Sequence, residues 1–424
     1  MTDGFERRGL TTGYHTIMPP SDVDAYDFLA PPLVRFGAGR LADLGEIVAT
    51  LGSRAWIVGG PRSLAAGATR ERILSSLAAA GIPGEFVAAT AGEPTVDQVA
   101  AALARLPRAA ADGGLAGVVL VACGGGSTID LAKAIAALAP LLPAVTPAAA
   151  DLDALVIDHL EGVGRGLQIR HAPLPLVAVP TTAGTGAEAT RNAVIACPRR
   201  RFKKSMRSPL LVPRAALVDP ELTASCDRGT VAAAGLDCVT QLVESFICRF
   251  HRPLPRALVL DALPRAVDAL PRLLAGGTAA ADRSAMSHAA LVSGMALANS
   301  GLGMAHGVAA ALGVALGTPH GLACAVMLPA AMRVNRSAVA ADFARLERAV
   351  DPGAADDDDI AADAFVERIA ALCRAAGVPG RLAELGVDGG LLDWLADNSG
   401  GASMRGNPVQ LDARSLRAVL ASIA

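Results

Sequence analysis

The sequence predicts an α/β half built on a parallel sheet, followed by an all-helical half. Three observations carry this. In the first half, short apolar runs each end in glycine or proline and lead into a helical period, the rhythm of a parallel sheet with crossover helices. From about Glu221 onward such runs become rare, and long alanine-rich segments with a 3.6-residue period take over. Hydrophobic residues make up 52% of the 424 residues but aromatics only 3%, so burial must be spread over small side chains, which suits close-packed helices.

In chain order, residues 1–30 show no clear period and read as an N-terminal extension. Residues 54–58 (RAWIV) form a short strand closed by Gly59-Gly60-Pro61. A helix over 70–80 is broken by Gly81-Ile82-Pro83, a strand follows at 85–89, and 96–106 is helical. Residues 117–122 (GVVLVA) read as a buried strand that runs into three glycines, with a helix over 128–138 behind it. Residues 174–179 (LPLVAV) give a further strand, closed by Pro180. The acidic run at 356–359 is expected to be a solvated loop.

Composition excludes several classes. With 38 basic and 40 acidic residues the net charge is −2, and no basic excess exists to neutralise a run of phosphates, so no nucleic-acid partner is expected. The seven cysteines are scattered and form no CxxC pair, which argues against a disulfide framework or a cysteine zinc site and for a reducing, cytoplasmic setting. The N-terminus, MTDGFERRGL, lacks the apolar core of a secretory signal. Residues 284–332 carry no Asp, Glu, Lys or Arg, yet Ser287, His288, Asn299, His306, His320 and many glycines interrupt them. Helices buried inside a helical domain, and no membrane, are expected there.

Two loops have the chemistry of anion sites. Gly124-Gly125-Gly126-Ser127-Thr128-Ile129-Asp130 follows a buried strand. Its glycines let a diphosphate approach the backbone, Ser127 and Thr128 can cap the next helix, and that helix start attracts anions. A tight strand–helix turn accounts for the same glycines. Pro180-Thr181-Thr182-Ala183-Gly184-Thr185-Gly186-Ala187-Glu188 also follows a strand. Ligands of open α/β sheets bind at such strand ends. In the helical half, Asp237 and Gln241 stand at i and i+4 on one helix face, and His306 and His320 are each followed by glycine. One carboxylate, one amide oxygen and two imidazoles can hold a divalent ion; buried histidines satisfied within a core are the alternative.

Taken together, GGGSTID, PTTAGTGAE, VDPELT (218–223), GLDCVTQLVE (235–244), MAHGVAAALG (304–313) and TPHGLACAVMLP (318–329) resemble the iron-containing, or group III, alcohol dehydrogenase family, over most of the chain from about Arg35 to Asn407-Pro408. The resemblance implies a Rossmann-like dinucleotide-binding domain over 31–222 and an all-helical metal and substrate domain over 223–424. It implies hydride transfer between NAD(P) and a small alcohol or aldehyde, and a homo-oligomer such as a dimer. Metal ligands, and hence catalytic groups, map onto Asp237, His306 and His320, with Gln241 as the fourth ligand position. Cofactor contacts map onto Gly60, Gly125, Gly126, Ser127, Asp130, Thr181, Thr182, Thr185 and Lys203.

The chain departs from the family pattern in three places. Gln241 stands where the family has histidine, and an amide oxygen suits Fe²⁺ or Zn²⁺ less well than imidazole. Ala310 stands four residues after His306, where many alcohol-oxidising members carry a second histidine near the substrate. After the 54–58 strand the chain reads Gly59, Gly60, Pro61, Arg62, Ser63. No carboxylate there repels a 2′-phosphate and Arg62 can pair with one, so NADP is favoured over NAD. The alternatives are a metal-free reductase of the maleylacetate reductase type and a cofactor-binding scaffold that has lost turnover.

Overall fold

A computed structural model describes residues 25–60, 67–90, 92–106, 114–142 and 148–424. Arg62 and most of the 1–30 extension lie outside the described residues.

The first half is a six-stranded, all-parallel sheet with strands β1 (Leu33–Phe36), β2 (Arg54–Gly59), β3 (Gly84–Ala89), β4 (Val118–Gly124), β5 (Leu176–Pro180) and β8 (Ala215–Val218), in the order β1-β8-β5-β4-β2-β3. The crossovers are α1 (Leu44–Leu51), α2 (Gly67–Ala79), α3 (Val96–Arg105), α4 (Gly126–Leu138) and α5 (Ala149–Asp158). Helices cover both faces, so the central strand β4 (VVLVACG) is buried along its whole length and needs no polar alternation. The chain runs outward from β2 to β3, then returns to β4 on the other side of β2. This reversal makes the carboxyl ends of β2 and β4 the switch point at which such sheets bind ligands.

Two further strands, β6 (Asn192–Cys197) and β7 (Phe202–Arg207), form an antiparallel hairpin between β5 and β8. Its turn places Arg201 at φ 51°. The hairpin is tied to α4 where Val194 N–H donates to Asp130 Oδ2 at 3.0 Å.

From Arg228 every regular element is helical: α6 (Arg228–Ile247), α7 (Pro253–Leu274), α8 (Ala280–Asn299), α9 (Met304–Leu316), α10 (His320–Asn335), α11 (Ala340–Val350), α12 (Asp358–Ala375), α13 (Gly389–Asn398), α14 (Ala402–Gly406) and α15 (Ala413–Ala421). Alanine is abundant in its two hydrophobic clusters, where small side chains let helices approach closely. Asp358 and Asp359 open α12, capped by Asp357, rather than lying wholly in a loop. Acidic groups are favourable at a helix N-terminus. The uncharged stretch 284–332 becomes most of α8, all of α9 and most of α10, largely buried in the core. Only α6 among the described helices is long and apolar enough to cross a bilayer, or α8 with α9 if that pair, bent by 98°, counts as one span. Most of α6 is buried inside the fold.

Residues 25–30 are held against the helical half. Leu29 N–H donates to Asn299 Oδ1 at 2.6 Å, and Asn299 Nδ2 donates back to Leu29 O at 2.7 Å.

Candidate active site between the sheet and the helices

The glycine turn after β4 leads straight into α4. The helix starts at Gly126, two residues earlier than the sequence period suggests, with Gly125 as its N-cap. The expected capping by Ser127 and Thr128 does not occur: no side chain caps this helix, and the Thr128 hydroxyl instead meets Thr90 Oγ1 at 2.8 Å. Thr128 N–H donates to Gly125 O at 3.0 Å, and the Gly126 and Ser127 amides are left for a ligand, the property that makes a helix start an anion site. Gly126 is required for a second reason. A Cβ there would lie 2.6 Å from Thr185 Oγ1, so the two loops pack directly against one another. Gly186 (φ +60°) does the same toward the helical half, where a Cβ would lie 2.4 Å from Gly294 Cα on α8.

On the helical side, α6 buries a polar face of Asp237, Gln241 and Glu244 among apolar neighbours. Such a stripe is costly unless each group has a partner. Glu244 finds its partners at the start of α9: Oε1 accepts from Ala305 N–H at 2.7 Å, and Oε2 is 2.7 Å from His306 Nδ1. Asn407 Oδ1 accepts from Met304 N–H at 3.0 Å. Side chains from two other elements therefore cap α9, and Glu244 also orients the His306 ring. With Nδ1–H given to Glu244, His306 Nε2 is the ring nitrogen that faces Asp237.

His306 Nε2 lies 3.3 Å from Asp237 Oδ1, yet both atoms are buried and neither makes a hydrogen bond. His320, the first residue of α10, brings its Nε2 to 3.9 Å from the same oxygen. One turn later on α10, the Cys324 sulfur sits 3.7 Å from His320 Nε2. Donor atoms of Asp237, His306, His320 and Cys324 all lie within 4.8 Å of one another. Lone pairs converging this closely in a buried place call for a positive charge among them, so the residues fit a divalent cation.

The same crowding shifts the protonation of these groups. Burial opposes ionisation of Asp237, but the closeness of His306, His320 and Gln241 outweighs it and holds the carboxyl below its ordinary value. Burial also disfavours the His306 imidazolium, yet Cys324, Asp237 and Glu244 raise that group well above the usual imidazole value. Burial, reinforced by the Lys203 and His306 charges against the pull of Asp237, brings His320 down to about 4, leaving it neutral near pH 7 as a ligand must be. Burial pushes the Cys324 thiol up to about 11.

Both groups open into one cavity of about 290 Å³. Gly126, Ser127, Asp130, Thr185 and Lys203 line it from the sheet side, and Asp237, Gln241, His306 and His320 from the helical side. Ala310, Leu297 and Leu302 add small or apolar wall. Gly60, Gly125, Thr181 and Thr182 do not line this cavity. Thr181 N–H donates to Gly124 O at 3.0 Å, and Thr182 packs over Gly125, so these residues shape the loops behind it. Asp130 lines the cavity but spends one oxygen on the hairpin, and burial, despite nearby Lys133, lifts its pKa to about 6.

Several residues were not singled out from the sequence. Glu244 ends a quoted motif, and its i+7 spacing from Asp237 was the available signal. Cys324 stands at i+4 from His320, the same spacing that paired Asp237 with Gln241. Glu93 forms an ion pair with Lys203 and lines the cavity; no local pattern announces it. Lys133 is fully buried and donates to Ala187 O, Thr190 O, Thr190 Oγ1 and Asn192 O, locking the threonine loop to α4.

Comparison with known proteins matches two stretches of the chain to family profiles. Residues 31–220 match the profile of the iron-containing alcohol dehydrogenases, and residues 231–424 match that of the C-terminal part of the Fe-containing alcohol dehydrogenase family. The chain belongs to the iron-containing alcohol dehydrogenase family. Within that family, the Escherichia coli protein named probable alcohol dehydrogenase EutG is 31% identical over 360 residues, covering 85% of each chain. The E. coli lactaldehyde reductase is 35% identical over 226 residues, covering 52% of this chain and 58% of its own. Among solved structures, a 1,3-propanediol oxidoreductase superposes with a TM-score of 0.83 at 27% identity, over 95% of this chain and 100% of its own. The sulfoacetaldehyde reductase of Bifidobacterium kashiwanohense, solved in complex with NAD⁺, gives 0.81 at 25% identity, over 95% and 99%.

Proposed function

We propose that the chain is an NAD(P)-linked alcohol dehydrogenase or aldehyde reductase for a small alcohol or aldehyde, favouring NADP and using a divalent Fe²⁺ or Zn²⁺ ion. The observation that carries this reading is the meeting of an uncapped helix start and a converging Asp/His/His group in one cavity. When bound, the ion supplies Lewis-acid polarisation of the substrate oxygen and the nicotinamide supplies the hydride position.

The chain's own residues do the positioning. Gly125, Gly126 and Ser127 offer backbone amides to the diphosphate. Thr181, Thr182 and Thr185 set the loop on the nicotinamide side, and Gly60 leaves room beside β2. Lys203, held by Glu93, places a cation toward the ribose, and Asp130 fixes the hairpin that carries it. Asp237, His306 and His320 hold the ion, with Gln241 beside them. Glu244 fixes the His306 tautomer through Nδ1–H. Leu297 and Leu302 exclude water, and Ala310 leaves space where a larger side chain would narrow the cavity.

NADP is favoured because residues 59–63 contain no carboxylate and include Arg62. A homo-oligomer and a cytoplasmic setting belong to the same reading. The seven cysteines are scattered and form no CxxC pair, which suits a reducing compartment. The test is consumption of NADPH and of NADH with a panel of short aldehydes. NADPH should give the higher kcat/KM, and Arg62→Asp should invert that order. Better use of NADH would overturn the cofactor preference, and no turnover of either nucleotide across the panel would overturn the enzyme reading.

A further inference from the structure

We infer that the fourth donor to the ion is the sulfur of Cys324 and not the amide of Gln241, which makes the centre an Asp/His/His/Cys site selective for Zn²⁺ over Fe²⁺. The inference deepens the proposed function and rests on its metal site.

One observation across α6 and α8 takes Gln241 out of the donor set. Gln241 Oε1 is 2.7 Å from Ser293 Oγ and accepts its hydrogen bond, so the amide oxygen is already engaged and held toward α8.

The sulfur stands where a fourth donor is needed. Cys324 is fully buried and lies one helical turn from His320, so both project from the same face of α10. Donors about 2.0–2.3 Å from one tetrahedral ion stand about 3.3–3.6 Å apart. Three of the six donor pairs are 3.3 Å for His306 with Asp237, 3.9 Å for His320 with Asp237 and 3.7 Å for His320 with Cys324, and the other three lie within 4.8 Å. Asp237 Oδ1 and His306 Nε2 are buried without hydrogen bonds, which points to a ligand independently of the cysteine. A thiolate is a soft donor, and replacing an oxygen or nitrogen by sulfur moves preference toward zinc. Two anionic donors also cancel the charge of a divalent ion, whereas an Asp/Gln/His/His set would leave it at +1.

The probe is Co²⁺, loaded into the purified full-length chain and read by absorption, with bound metal counted by elemental analysis. One bound Co²⁺ should bring a near-ultraviolet sulfur-to-cobalt charge-transfer band and intense tetrahedral visible bands. Cys324→Ser should lose the near-ultraviolet band and bind Co²⁺ about tenfold or more weakly, while Gln241→Ala keeps both the band and the stoichiometry. Stoichiometric Co²⁺ without the sulfur band in the unmodified protein overturns the inference and leaves the proposed function standing. So does loss of Co²⁺ from Gln241→Ala with unaltered binding by Cys324→Ser. No Co²⁺ bound by the unmodified protein overturns both.

Discussion

The two walls of the cavity are built on different principles. The sheet-side wall rests mainly on backbone: helix-start amides, glycines that let two loops touch, and threonines that pack behind them, with Asp130 and the Lys203–Glu93 pair at its side. The helical wall is made of side chains, brought from α6, α9 and α10 and charged against one another. A backbone wall depends on steric fit and tolerates no added atoms, whereas a side-chain wall depends on each group having its partner. Changes on the helical wall should therefore cost chemistry, and changes on the sheet wall should cost cofactor binding.

The largest effect is expected from Asp237→Asn, which removes the charge that both imidazoles face. Turnover should fall about 10³-fold with bound metal lost, while binding of NADPH, followed by its fluorescence, stays near the unmodified value. Glu244→Gln comes next. It weakens the acceptor that holds His306 Nδ1–H, and metal affinity, measured by competition with a chelator, should drop about 10–100-fold. On the opposite wall, Gly126→Ala puts a Cβ against Thr185 and should raise the KM for the nucleotide about tenfold with metal content unchanged. If Gly126→Ala stripped the metal, or Asp237→Asn abolished nucleotide binding, the division between the walls would fail.

The smallest effect concerns pH. Glu188 is buried on the threonine loop with Oε1 unbonded, and burial, opposed by its own backbone contact and by Lys133, moves its pKa from 4.5 to about 7. The folded value lies above the unfolded one, so this group's contribution to stability is complete below pH 4.5 and fades as pH rises through 7. Glu188→Gln should accordingly gain in thermal midpoint relative to the unmodified protein as pH is raised across that window. Equal pH slopes for the two would contradict the assignment.

The same contrast explains what could be read from the sequence. Buried parallel strands and glycine turns are local patterns, so β2, β4, β5 and the two loops were legible. The edge strand β1 (LVRF) and β8 (AALV) are only four residues each, and the hairpin strand β7 (FKKSMR) is too charged for its pattern to stand out. In the helical half, Asp237, His306 and His320 could be picked out by type and spacing. Their partners could not, because Glu244 meets the start of α9 only after folding, and Cys324 looks like any apolar core residue until α10 is packed beside α6.

The most direct test of the account is removal of the metal with the nucleotide site left intact. Thorough chelation of the purified protein should abolish NADPH-linked aldehyde reduction, leave NADPH binding unchanged, and be reversed by adding back one equivalent of divalent ion. Reduction that proceeds undiminished after chelation would contradict the claim that these converging side chains hold the ion on which the chemistry depends.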